Sequence, residues 1–184
     1  MDEVGEIGTK VGFGKSGTGN TGDILGAGYK REGLNLYDSS ANLMLEALGL
    51  SSGVDFVSES VLQYDFDNGL ATNDAFGFFF GISDLGLGYD EVMCAPGDSG
   101  GPTFINNEIA GITSYGITLA YYNGATSDIL SGLNSSFGEF AGDTRVSYYA
   151  SFVDNIINPV PEPSTCLLFL FGLLGIVGVK KKLS

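Results

Sequence analysis

Three of the five prolines in this 184-residue chain, Pro159, Pro161 and Pro163, fall within five residues and divide it into parts that cannot share one core. Each proline fixes its own φ and pushes the preceding residue toward an extended conformation, so the stretch reads as a stiff linker. On this reading residues 1–157 form a folded body, 158–165 the linker and 166–184 a separate tail. Short or alternating apolar runs bounded by glycine and asparagine predict strands over 7–13, 61–66, 103–105, 109–115 and 145–149. Asn106-Asn107 separates two of them, and asparagine tolerates the positive φ of a tight hairpin turn. Phe78-Phe79-Phe80 reads as a further core strand. Residues 151–157 predict a short closing helix with Phe152, Val153, Ile156 and Ile157 on one side. Residues 40–48 have helical composition but only two turns' length, and stay ambiguous. The body is therefore β-rich.

Charge narrows the classes of partner. All 22 acidic residues lie at or before Glu162, with only five of the eight basic ones. A surface this acidic argues against nucleic acid, because phosphate binding needs clustered Lys and Arg. Cys94 and Cys166 are the two cysteines; the second lies in the apolar tail, so no intradomain disulfide is expected. There is no His/Cys cluster and hence no zinc site, and no cofactor is expected. Gly12-Phe13-Gly14-Lys15-Ser16-Gly17 has nucleotide-loop spacing, but the glycine-rich residues after it are a poor helix start. Asp65-Phe66-Asp67-Asn68-Gly69 begins like a calcium loop. Its glycine comes one position early and Phe76 stands where the closing Glu belongs, so a turn is expected, with no metal.

The chemistry-bearing stretch is Gly97-Asp98-Ser99-Gly100-Gly101-Pro102. It holds a serine on a glycine-rich bend, yet a serine hydroxyl needs a base to become a nucleophile, usually histidine. The chain contains no histidine. This motif resembles that of the chymotrypsin/trypsin-like serine proteases. Ala110-Gly111-Ile112-Thr113-Ser114-Tyr115-Gly116, Val11-Gly12-Phe13-Gly14 and Gly142-Asp143-Thr144-Arg145-Val146-Ser147-Tyr148-Tyr149 resemble further segments of that family in its order. The resemblance spans about residues 8–157 and implies an all-β fold, an antiparallel β-barrel equivalent to the second barrel of the double-barrel fold. It further implies Ser99 as nucleophile, the N–H groups of Gly97 and Ser99 as oxyanion hole, and a buried Asp98 that shapes the hole. Ser114, Tyr115 and Gly116 would line the substrate cleft and pair with a peptide or protein substrate. Met93 would lie near the base of the specificity pocket, where trypsin-like members carry Asp; an apolar preference follows. The family's base and its orienting Asp belong to a first barrel that precedes everything seen here, so the chain is expected to be an inactive C-terminal half with a truncated N-terminus. A non-catalytic surface protein that keeps the barrel for binding is the alternative.

The tail completes the reading. Cys166 to Val179 carries no charge or strongly polar group, short of the ~20 residues that comfortably span a bilayer. It is terminal, follows the linker and ends in Lys180-Lys181-Lys182, which favours a transient membrane anchor over a buried helix. Val160-Pro161-Glu162-Pro163-Ser164-Thr165, the apolar run and the lysines together resemble the PEP-CTERM sorting signal of exopolysaccharide-producing bacteria. That resemblance implies recognition of Pro161, Glu162 and Pro163 by an exosortase-type processing enzyme, membrane insertion through 166–179, and a cell-surface or extracellular destination. Met1-Asp2-Glu3-Val4-Gly5-Glu6 has neither the charge nor the apolar run of a signal peptide.

Overall fold

The computed structural model describes residues 2–47, 49, 58–157 and 169. The chain divides into two units, Met1–Tyr149 and Ala150–Ser184. Among the described residues the first contains nine strands: β1 Ile7–Gly12, β2 Ser16–Thr18, β3 Gly22–Leu25, β4 Arg31–Leu36, β5 Ser39–Ser40, β6 Val61–Asp65, β7 Pro102–Ile105, β8 Glu108–Ile117 and β9 Phe140–Arg145. Two short helices join them, α1 Asn42–Ala47 and α2 Ala75–Phe80. Seven strands form one antiparallel sheet in the order β4-β1-β7-β8-β9-β6-β5, while β2 and β3 make a separate hairpin. The two edge strands, β4 and β5, are one run of chain interrupted only by Tyr37 and Asp38. The sheet must therefore curl until its edges approach, which makes it a half-barrel of the all-β kind expected.

Two apolar clusters fill the unit. Tyr37, Leu62, Tyr64, Ile105, Ala110 and Ala141 form one. Met44, Ala75, Phe76 and Phe140 form the other, with Phe76 edge-on to Phe140 at 5.0 Å between centroids. The β7–β8 turn carries Asn106 at φ 52° and Asn107 at φ 66°, the two positive values that match a hairpin's twist.

Three sequence expectations are corrected or resolved. Phe78-Phe79-Phe80 is helical, in α2, rather than a strand. Asp74 caps the helix start by accepting from Gly77 N, and Gly81 at φ 73° ends it by returning its N–H to Phe76 and Gly77 carbonyls. The strand expected over 145–149 lies earlier, over Phe140–Arg145, and Ser147–Tyr149 is a 3-10 turn. Gly142 and Asp143 masked it, being poor strand formers by composition. Residues 40–48 resolve as helix α1.

In the second unit, α3 forms over Ala150–Ile157, where a helix was expected. The linker 158–165, with Pro161, Glu162 and Pro163, lies outside the described residues, as do Cys166 and Lys180, Lys181 and Lys182. Among the described residues no helix is long and apolar enough to cross a membrane, and of the apolar run 166–179 only Phe169 is among them.

Candidate functional site: the Ser99 loop

Ser99 stands exposed at the apex of a loop entering β7. Two tight turns raise it: Asp98 N donates to Ala95 O at 3.0 Å, and Gly101 N to Asp98 O at 2.8 Å. Gly97 at φ 100° and Gly100 at φ 84° occupy the left-handed region on either side, where a side chain would be strained. The loop is then pinned to β8, with Gly100 N on Thr113 O at 2.9 Å and Thr113 N on Gly101 O at 2.8 Å. Sequence and turn chemistry thus fix the hydroxyl's position before any partner is considered.

Asp98 is half-buried, and its carboxylate ties the loop to a distant part of the chain. Oδ1 accepts from Gly14 N at 2.6 Å and Oδ2 from Ala95 N at 2.9 Å. Space for it exists only because residues 12 and 14 lack side chains. A Cβ on Gly12 would stand 1.9 Å from Asp98 Oδ1, and one on Gly14 2.7 Å from Asp98 Cγ. Lys15 N closes the clasp on Pro96 O at 2.9 Å. The N–H groups of Gly97 and Ser99 donate to no group among the described residues. Two unengaged donors flanking a raised hydroxyl can hold a developing oxyanion.

A cavity of about 260 Å³ opens beside Ser99, with Met93, Ser114, Tyr115, Gly116 and Leu133 in its walls. β8 outruns its neighbour here. Its first pair with β7 at this end is Ile112↔Pro102, and the register shifts between Thr113 and Tyr115. Ser114 therefore sits exposed at a bulge, and the following residues have no partner strand on the β7 side among the described residues. That edge can accept an added strand. Tyr115 turns its ring over Gly142, where a Cβ would be 2.5 Å from the ring, and its hydroxyl accepts from Gln63 Nε2 at 2.9 Å. Gly116 leaves room for Met93 Cε and Leu133 Cδ1, at 3.1 and 3.2 Å from a Cβ placed there.

The opposite wall was not anticipated from sequence. Asn134 and Ser135 line it, held by the fully buried Glu139, whose Oε1 and Oε2 accept from their N–H groups at 2.8 and 2.9 Å. Burial pushes the Glu139 carboxyl up to about 7 against those two bonds. Ser135 Oγ donates to Cys94 O at 2.9 Å. Cys94 is a half-buried free thiol whose pKa burial raises to about 11, so it stays protonated at neutral pH. Asp23 also reaches the cavity, with Lys15 Nζ 3.7 Å away. No sequence signal marks this wall, since its residues gather from a loop of unremarkable composition.

Behind the site lie two groups of buried charge. Asp143 Oδ2 accepts from Lys10 Nζ at 3.0 Å, Tyr37 Oη at 2.5 Å and Thr103 Oγ1 at 2.7 Å. Lys10 also stands 3.4 Å from the centroid of the Tyr64 ring. Burial pulls the Lys10 ammonium down while Asp143 opposes it, and burial raises both tyrosines. The second group is Asp65, Asp67 and Glu91, all buried, with carboxylate oxygens within 4.8 Å of one another. Burial raises Asp65 well above the usual carboxylate range, Asp67 to about 6 and Glu91 to about 8; neighbouring Asp38 rises to about 7 for the same reason.

No curated protein matches the chain. Among solved structures, the crystal structure of the scabies mite inactivated protease paralogue S-D1 is similar at a TM-score of 0.48 and 15% identity, over 86% of this chain and 50% of that one. The chain thus spans half the length of that structure. At the other end, residues 159–182 match the PEP-CTERM protein-sorting motif.

Proposed function

We propose that this chain is the serine-bearing half of an exported, surface-sorted serine endopeptidase that hydrolyses peptide bonds through Ser99. The sorting motif at 159–182 implies export and sorting through exosortase-type machinery. The enzymatic reading rests on one observation: the Asp98 clasp, which raises Ser99 and leaves the Gly97 and Ser99 N–H groups unengaged beside a cavity. In this reading Ser99 Oγ attacks the scissile carbonyl, those N–H groups hold the resulting oxyanion, and the Ser114–Gly116 edge aligns the substrate backbone. Met93 and Leu133 favour an apolar side chain in the cavity. The base comes from polypeptide beyond these 184 residues, because no imidazole exists here.

The absence of histidine also supports a second reading, a surface module that binds extended peptides along the β8 edge without cutting them. A fluorophosphonate probe separates the two. The enzymatic reading predicts Ser99 labelling in a longer gene product carrying a histidine-bearing segment, abolished by Ser99→Ala. A longer product that binds peptide but never labels favours the binding module.

In the sorting step, Pro161-Glu162-Pro163 is the recognition element and Lys180–Lys182 hold the tail's end in the cytoplasm. Surface protein recovered from a host with the sorting enzyme should lack its C-terminal residues. An intact end at Ser184, or processing indifferent to replacement of Glu162, would overturn that assignment.

A further inference from the structure

Asp65, Asp67 and Glu91 are brought together from the end of β6, the loop after it and the approach to the Ser99 loop. Their oxygens lie within 4.8 Å of one another, about the widest separation two ligands of one calcium ion allow at roughly 2.4 Å per bond. Compensation is one-sided. Phe76 N donates to Asp65 Oδ2 at 2.9 Å, Gly69 N to Asp67 Oδ1 at 2.7 Å, and Leu87 N and Asp67 N to the two oxygens of Glu91 at 2.9 and 3.1 Å. Among the described residues none of the three has an ion-pair partner.

The accounting leaves a specific orphan. Asp67 is fully buried, and its Oδ2 has no hydrogen-bond partner. That oxygen and Glu91 border the same spot: a Cβ placed on Gly86 would stand 3.9 Å from Asp67 Oδ2 and 1.9 Å from Glu91 Oε1. A second orphan belongs to a β4 side chain that bonds to the same two segments of chain. Asn35 spends its amide hydrogens on the carbonyls of Asp65 and Val92, at 2.8 and 2.9 Å, and its buried Oδ1 has no partner. Buried, unpaired carboxylate oxygen is among the costliest groups a fold can carry, and such charge is paired or coordinates metal.

We propose that Asp65, Asp67 and Glu91 bind a calcium ion, Asp67 Oδ2 being the oxygen that turns to it. Every donor is a hard oxygen, which excludes the softer metals that seek nitrogen or sulfur. Three buried carboxylates suit calcium, whereas magnesium retains several waters and takes one or two carboxylates. Glu91 supplies the acidic ligand that residue 76, a phenylalanine, does not. Because Glu91 precedes Met93 and Cys94 in the cavity wall, the ion would brace the segment leading to Ser99.

The test is calcium titration of the full chain in detergent, by calorimetry and by thermal unfolding in chelator, CaCl₂ and MgCl₂. The expected result is saturable binding of one calcium, with Kd of ~10⁻⁴ M or tighter, and a rise in Tm that magnesium does not reproduce. Asp67→Asn and Glu91→Gln should weaken binding about tenfold or more, and Asp67→Asn should unfold no earlier than the parent in chelator, because it replaces a buried carboxylate that has an unpartnered oxygen. Asp84→Asn, outside the cluster, should bind as the parent does. A parent chain whose calorimetry and Tm ignore calcium would overturn the proposal. So would parental calcium responses in both Asp67→Asn and Glu91→Gln, or a preference for magnesium.

Discussion

Asp143 and the Asp65–Asp67–Glu91 group are both buried and acidic, yet they are solved in opposite ways. Asp143 is matched within the chain by an ammonium, a phenol and a hydroxyl, and the ammonium is further held over an aromatic face. The trio receives only backbone N–H groups, and an oxygen of Asp67 receives none. The first arrangement locks β1, β7 and β9 together and carries its own counter-cation, although Asp143 Oδ1, like Asp67 Oδ2, has no hydrogen-bond partner. The second has no counter-cation among the described residues, and burial instead holds its carboxyls above their usual range. Removing a partner from the first should therefore harm the fold, and removing charge from the second should relieve it.

The largest effect belongs to the matched site. Lys10→Met should destabilise the chain by about 3–5 kcal/mol, because Asp143 is left buried without its counter-charge. Adding Asp143→Asn to that variant should restore part of the loss in denaturant titrations. If the double variant is no more stable than Lys10→Met, the two side chains are not a compensating pair.

A smaller but more local effect is expected at the Asp98 clasp. Gly12→Ala forces a methyl against Asp98 Oδ1 and should cost about 1–3 kcal/mol. In a longer, histidine-bearing gene product it should also displace the Gly97 and Ser99 N–H groups and lower probe labelling of Ser99 out of proportion to its effect on Tm. An equal loss on both counts would mean that the glycine serves packing alone.

In chelator, Asp67→Asn should stabilise the chain by on the order of 1 kcal/mol, the reverse of the Lys10 result. Destabilisation there would erase the contrast between the two sites.

The smallest effect is a pH slope. Glu139 and Asp38 both titrate near 7 in the folded chain, above the ordinary carboxylate range, so each binds its proton more tightly folded than unfolded. Their contribution is greatest below about pH 4 and declines as pH rises toward 7. Tm in chelator should fall between pH 5 and 7, and Glu139→Gln should flatten part of that slope. A Tm rising over this interval would reverse the sign of the argument.

What sequence reveals here follows from how far apart the interacting residues lie. The Gly97–Pro102 bend, the Asn106-Asn107 hairpin and the Pro-Glu-Pro tail are contiguous, so spacing alone exposes them. The Asp98–Gly14 bond joins positions 84 residues apart, and nothing in Gly12-Phe13-Gly14 announces that its glycines make room for a carboxylate. Asp67 likewise meets Glu91 through a loop closure that a contiguous ligand pattern cannot foresee. Phe78-Phe79-Phe80 misleads because apolar content was weighed ahead of Asp74 and Gly81, whose caps define a helix. Gly142 conceals a strand for a packing reason, since the ring of Tyr115 takes the place of its side chain.

In the proposed reading the Ser99 loop presents a nucleophile whose imidazole base is not among these 184 residues. The most direct measurement is fluorophosphonate labelling and peptidase turnover of the purified 184-residue chain beside its Ser99→Ala variant. No turnover is expected, and labelling should be indistinguishable between the two, because without a base the Ser99 hydroxyl stays protonated. Robust, Ser99-dependent cleavage by the 184-residue chain alone would contradict it.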